Sequence, residues 1–154
     1  MSNQDNMPGH LARRFQQMAV AMFHTHVDPA GHDLTPVQYS ALAAVLAQPG
    51  IDQATLAGRI GIDRATITGV IDRLARKGLL TRTVSKADRR ARLLQMTDTG
   101  TAVLQQIQPA VDAAQDEMVA QLSQEERDLL LALLRKAMGG REAQAAPPGQ
   151  PAHP

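Results

Sequence analysis

The sequence predicts a mainly α fold built on a helix-turn-helix and a small two-stranded hairpin, with further helices before and after them. Three observations point there. Only three aromatic side chains occur in 154 residues (Phe15, Phe23 and Tyr39), so the core falls to Leu, Ile, Val, Ala and Met, which in long Ala/Leu/Gln-rich stretches favour helices. Residues 52–78 read as two short helices joined by a tight turn. Two segments, 79–84 and 91–96, then read as paired strands around an exposed basic tip.

Along the chain, residues 1–9 are polar and end in Pro8-Gly9, which predicts a loose start. Leu11, Phe15, Met18 and Met22 form one helical stripe, and Val20, Phe23 and Val27 a second. A helix apolar on two faces needs two partners. A loop over Asp28–Asp33 follows, and then Thr35 caps a helix with Pro36 at its first position, running to about Ala47. Pro49-Gly50 closes that unit. In the helix-turn-helix, Ala57 is the small residue facing the second helix, and Gly61 suits a turn where φ is positive. Leu56, Ile60, Ile62, Ile67 and Val70 hold the two helices together, Asp63 caps the second, and Gly78 ends it.

Beyond the hairpin, Thr97 caps a long helix from Asp98 to about Leu122, in which Pro109 predicts a kink or local break. Ser123 with Glu126 forms a capping box. The last helix carries Leu129, Leu130, Leu133, Leu134 and Ala137 and ends at Gly139-Gly140, leaving residues 139–154, rich in Pro, Gly and Ala, as a disordered tail. The chain thus divides into a central module, 35–97, and terminal helical regions, 10–34 and 98–138. The terminal helices carry more leucine than one small domain needs on its inner face, which predicts that they pair with a second copy.

Composition excludes several functions. With no cysteine, there is no disulfide, thiolate metal site or cysteine nucleophile. No apolar run suits a signal peptide or a membrane span, and a cytoplasmic protein is expected. No nucleophile motif, phosphate loop or paired carboxylate set is present; Glu125-Glu126 belong to a helix cap. Catalytic residues are therefore not expected.

Charge distribution carries more than the net +1. From Arg59 to Arg92 there are ten basic residues against three acidic, a local +7 that leaves −6 for the remainder. Such a face suits phosphate. Arg64, Thr66 and Thr68 lie in the first turns of the second helix of the helix-turn-helix, where base edges are read; Arg can be bidentate to guanine, and Thr offers a hydroxyl or a methyl. Arg73, Arg76 and Lys77 lie further along and suit phosphates. At the hairpin tip, Lys86, Arg89 and Arg90 suit a narrow minor groove. Asp88 would repel phosphate, so it is read as pairing with Arg90 to orient the guanidinium, or as a loop ion pair with no role on DNA.

Asp88-x-Arg90, five residues, then Met96-Thr97 resembles the wing signature of the MarR family of winged-helix regulators. DRATITGVIDRLARKGLL resembles that family's recognition helix, and LTPVQYSALAAV the helix before it. The resemblance spans residues 10–138; Met96 stands where Leu is more usual. It implies a homodimer held by the terminal helices, a palindromic double-stranded DNA operator, and repression relieved by a small molecule. It also implies Asp63 pairing with Arg90, linking recognition helix to wing.

The LTPVQY segment, with the His-containing helix before it, looks closest to members that sense aromatic carboxylates. The implied effector site has walls from Met18, Met22, Phe23, Leu34, Tyr39 and Leu42, with Arg13, Arg14, His24, His26 and Gln38 as polar partners. Two rival readings remain: a metal-responsive regulator using His10, His24, His26 and His32, although His24 and His26 are two apart on a helix and point to different sides; and a DNA-binding protein with no effector.

Overall fold

The structure is a computed structural model describing residues 3–142. Its elements are α1 (Pro8–Val27), α2 (Pro36–Ala47), α3 (Gln53–Ile60), α4 (Arg64–Arg76), β1 (Leu80–Val84), β2 (Arg92–Met96), α5 (Asp98–Met118) and α6 (Gln124–Glu142), with 3-10 turns at Asn3–Asn6 and Asp28–Ala30. The strands are antiparallel, Leu80 opposite Met96 and Val84 opposite Arg92. This is the winged helix-turn-helix read from the sequence.

The local reasons are visible at the helix ends. Thr35 opens α2 with a complete capping box: its hydroxyl accepts from Gln38 N–H, and Gln38 Oε1 accepts from Thr35 N–H. Asp52 and Asp63 cap α3 and α4 in the same way as each other, each accepting from the N–H and the hydroxyl of the Thr three residues on. Gly61 takes φ 71° at the end of α3, and Gly78 takes φ 71° after α4, a conformation that L side chains avoid.

The central core is aliphatic. Leu42, Ile51, Leu56, Ile67, Ile71, Leu74, Leu80 and Leu94 are fully buried, so α2, α3 and α4 close over the inner face of the hairpin. Each such side chain contributes roughly 1.5–3 kcal/mol by leaving water. One pairing was not legible in the sequence. Residues 50–52 run along the free edge of β2: Gly50 N–H donates to Leu94 O, Leu94 N–H donates to Ile51 O, and Asp52 bridges Leu93. This ties the α2–α3 connection to the wing and covers a strand edge.

Alongside this module, α1 packs on α5 through Phe23, Val27, Ile107 and Val111. Polar contacts tie α5 to three neighbours: His26 Nε2 of α1 to Glu117 Oε2 at 2.5 Å, His32 Nε2 of the α1–α2 connection to Gln106 Oε1 at 2.9 Å, and the Tyr39 hydroxyl of α2 donating to Gln108 Oε1 at 2.9 Å.

Four sequence expectations need correction. The chain is not loose up to residue 9: Pro8 opens α1, because a proline at the first helical position loses an N–H that has no intrahelical partner anyway. Pro109 does not break α5, which runs unbroken to Met118; Pro109 and Gln105 are exposed, so the carbonyl freed of its helical donor is on the wet side. The helix also ends earlier than expected, closing over Val119–Leu122 in tight turns. Lastly, α6 passes Gly139-Gly140 and reaches Glu142, since Gly139 does not take the positive φ that would end it. Residues 143–154, most of the expected disordered tail, lie outside the described residues.

Two of the caps predict an acid response. Burial pushes Asp52 up, but hydrogen bonds from the Thr55 hydroxyl and N–H outweigh it, so its carboxyl lies below the usual range. Asp63 is lowered by the N–H and hydroxyl of Thr66. A carboxyl depressed by folding adds stability that is present above its unfolded value near 3.8 and is lost as pH falls through the folded value. Urea midpoints are therefore expected to hold steady down to about pH 4 and to fall below it, with Asp52→Asn removing part of that fall.

Candidate nucleic-acid interface and effector region

The recognition surface is the outer side of α4. Ile67, Val70, Ile71 and Leu74 face inward, leaving Arg64, Thr66, Thr68 and Arg73 exposed. The two threonine hydroxyls have duties within the protomer. Thr66 donates to Asp63 Oδ2 at 2.8 Å, and Thr68 donates to Arg64 O at 2.9 Å while accepting from Gln53 Nε2 at 3.0 Å. Both hydroxyl hydrogens are thus engaged within the protomer, which leaves each oxygen its remaining acceptor capacity toward a base or phosphate. Gln53, at the start of α3, was missed by sequence reasoning; only the fold brings it against Thr68.

At the wing, Lys86, Arg89 and Arg90 are all exposed. The tip is shaped by Ser85 and Asp88. Ser85 Oγ accepts from the N–H groups of Ala87 and Asp88, and Asp88 Oδ1 accepts from Arg90 N–H at 2.9 Å. Asp88 thus holds the backbone of Arg90. Among the described residues it makes no ion pair with the guanidinium, because an Asx turn engages the amide two residues on.

The expected Asp63–Arg90 link is also not formed among the described residues. Both carboxylate oxygens of Asp63 are taken by Thr66 in the cap. The link between recognition helix and wing is made elsewhere: Arg82 on β1 reaches Asp72 on α4, Nη1 to Oδ1 2.8 Å. Both residues are plain in the sequence as charged, but nothing local marks them as partners.

Thr97 closes the base of the wing. Its hydroxyl donates to Gly78 O at 2.6 Å and caps α5 by accepting from Gly100 N–H at 3.0 Å.

A helix with an exposed polar face, seated on a second helix and flanked by a basic hairpin, is a device for entering a DNA groove. The comparisons agree. Residues 34–91 match the sequence model of the family described as MarR. The repressor NicR of Pseudomonas putida, described as HTH-type, is 31% identical over 135 residues, covering 87% of this chain and 84% of NicR. The chain belongs to the MarR family. It is thus similar to a group of transcriptional regulators, not to enzymes. Among solved structures it is similar to the transcriptional repressor CouR bound to a 23-mer DNA duplex (33% identity, TM-score 0.80, covering 89% of this chain and 96% of CouR). It is also similar to Bordetella bronchiseptica BpsR, whose DNA binding is regulated by 6-hydroxynicotinic acid (31% identity, TM-score 0.81, covering 89% and 96%).

In this MarR-family chain the expected effector residues fall into separate places. Phe23, His24 and Tyr39 come together: the Phe23 ring lies 5.7 Å from His24, edge-on, and 6.0 Å from Tyr39. Met22 is half-buried beside them in sequence, while Met18 is 37% exposed. His24 also pairs with Asp28 at 3.0 Å. Arg13 and Arg14 are exposed, and Arg13 donates to His10 Nδ1 at 3.5 Å. Ten or eleven residues separate them from His24, about 15 Å along a helix, so within one protomer they do not join the aromatic group. Gln38 points elsewhere, into a groove against α4. As for the metal reading, among the described residues no three His, Asp or Glu side chains converge.

Proposed function

We propose that this MarR-family chain is a repressor that binds a palindromic operator as a homodimer and is released by a small aromatic carboxylate. The observation that carries the dimer is α6. Leu129 and Leu133 are 57% and 54% exposed, Leu131, Leu134 and Met138 are exposed beside them, and no other element packs closely on this helix among the described residues. An apolar helix standing clear of its own core needs a partner, and a symmetric second copy supplies the same surface.

The aromatic group of Phe23, His24 and Tyr39, where α1, α2 and α5 meet, supports the effector class. It offers ring-sized apolar contact with hydrogen-bonding edges, and BpsR answers to an acid of this kind. Since Arg13 and Arg14 lie about 15 Å away along α1, the charge that pairs the carboxylate comes from the second copy. On operator DNA, Arg64, Thr66, Thr68 and Arg73 sit at the major groove, with Lys86, Arg89 and Arg90 at the minor groove. Asp88 shapes the tip and Asp63 caps the recognition helix. The site of action is the cytoplasm, where the operator is.

The test is an operator-binding titration with pure protein, repeated with benzoate, hydroxybenzoates, salicylate and 6-hydroxynicotinate. At least one is expected to weaken binding tenfold or more at millimolar concentration. Unchanged affinity across the whole panel would sink the effector reading and leave a DNA-binding dimer without ligand control.

A further inference from the structure

Between the start of α2 and the end of α4 lies an open groove of about 560 Å³, lined by Asp33, Thr35, Gln38, Arg73, Arg76 and Lys77. Every lining residue is polar or charged. Lys77 is occupied with Asp33, bonded to its carbonyl and 3.7 Å from its carboxylate, which neutralises the one acid present. Arg73 and Arg76 form no ion pair among the described residues. Gln38 lines the groove; its Oε1 is held by Thr35 N–H, and its Nε2 makes no hydrogen bond among the described residues.

We propose that this groove seats a backbone phosphate of the bound duplex, held by Gln38 Nε2 and the guanidinium groups of Arg73 and Arg76. Position favours DNA: Arg73 lies seven residues beyond Thr66, so the two share a helix face and the groove continues the recognition surface. Chemistry favours phosphate, because every lining residue is polar or charged and two of them are guanidinium groups with no ion-pair partner among the described residues. The seat clamps α2, and with it the aromatic group at Tyr39, to the DNA backbone. This inference rests on DNA binding and not on the effector reading.

The test uses full-length Gln38→Glu and Arg76→Gln. Glutamate keeps the acceptor that caps α2, removes the donor and places a negative charge in the groove. Both variants are expected to bind operator and random duplex more weakly by a similar factor, about tenfold for Gln38→Glu, since a phosphate carries no sequence information. Arg76→Gln is expected to lower the slope of log K against log salt by about 1. Inorganic phosphate is expected to raise the thermal midpoint of wild type and not of Gln38→Glu. Thermal midpoints near wild type in phosphate-free buffer certify folding; if Gln38→Glu fails that check, Arg76→Gln alone decides. DNA affinity within twofold of wild type together with an unchanged salt slope overturns the proposal. So does unchanged DNA affinity with a shifted response to benzoate, which would make the groove a carboxylate site. A wild type that binds operator but ignores every aromatic acid defeats the effector reading and leaves this one standing.

Discussion

Gly100→Ala is expected to destabilise the protein by about 3 kcal/mol, a large part of the 5–15 kcal/mol that holds a domain of this kind folded. Gly100 lies in the first turn of α5, where alanine would ordinarily gain up to about 1 kcal/mol in helix propensity. Here contact decides the sign. A Cβ would sit 1.9 Å from Leu79 O and 2.8 Å from its carbonyl carbon. Neither can yield, because Leu79 N–H donates to Leu74 O and Leu79 O accepts from Thr97 N–H. The cost therefore spreads into the junction of recognition helix, wing and α5. Gly69→Ala in α4 is the control: it is helical too, but nothing lies within 4 Å of its Cβ position. Urea unfolding of the pair is expected to show Gly69→Ala neutral or stabilised by up to about 1 kcal/mol. Equal stability for both variants would mean that α5 does not approach Leu79 as described.

Arg90→Ala is expected to weaken operator binding between tenfold and a hundredfold, about 1.5–3 kcal/mol for a charge-assisted contact. The side chain is exposed and makes no hydrogen bond within the described residues, while its backbone is held by Asp88. It is thus presented without being consumed. Two partners separate the possible ways of aiming it. Asp88→Ala removes the acceptor for Arg90 N–H and is expected to reproduce part of the loss. Asp63→Asn keeps the helix cap, since Asn caps as well as Asp, and is expected to leave affinity within about twofold. If Asp63→Asn instead matched Arg90→Ala, the ion pair that the family resemblance implied would form on DNA after all.

These two predictions differ in how far the sequence anticipated them. Arg90 is legible as a cation on a basic tip between two strands, because wing geometry follows from short-range pattern. Gly100 looks ordinary in sequence: a glycine in the first turn of a helix, beside a good cap. Its importance comes from Leu79, twenty-one residues earlier, and no local rule connects them.

The same division runs through the charged residues. Asp63 and Thr66 are three apart, so their capping contact follows from helix geometry, and the cap was correctly read. Asp72 and Arg82 are as plain in the sequence, yet their partnership depends on how β1 leaves α4. The reading of Asp63 as Arg90's partner failed for a related reason: a cap three residues away already takes both carboxylate oxygens. In the effector region, His24 and Tyr39 both lie against the Phe23 ring, since α1 and α2 are adjacent in chain and space. Arg13 and Arg14 were grouped with them by resemblance, against a separation along α1 that helical rise makes fixed.

By itself the sequence determined the order of elements, the caps at Thr35, Asp63, Thr97 and Ser123, the glycine turns at Gly61 and Gly78, and a basic central segment. All of these are interactions over a few residues, where spacing is set by 3.6 residues per turn or by alternation. Tertiary structure alone decided that residues 50–52 run beside β2, that Arg82 joins Asp72, that Gly100 admits no side chain, and that Gln38 opens onto the cations of α4. Those contacts join residues ten to forty-four apart. They exist only because burying Leu42, Ile71, Leu74, Leu80 and Leu94 together brings their backbones into register, and a pattern of residue types does not encode that closure.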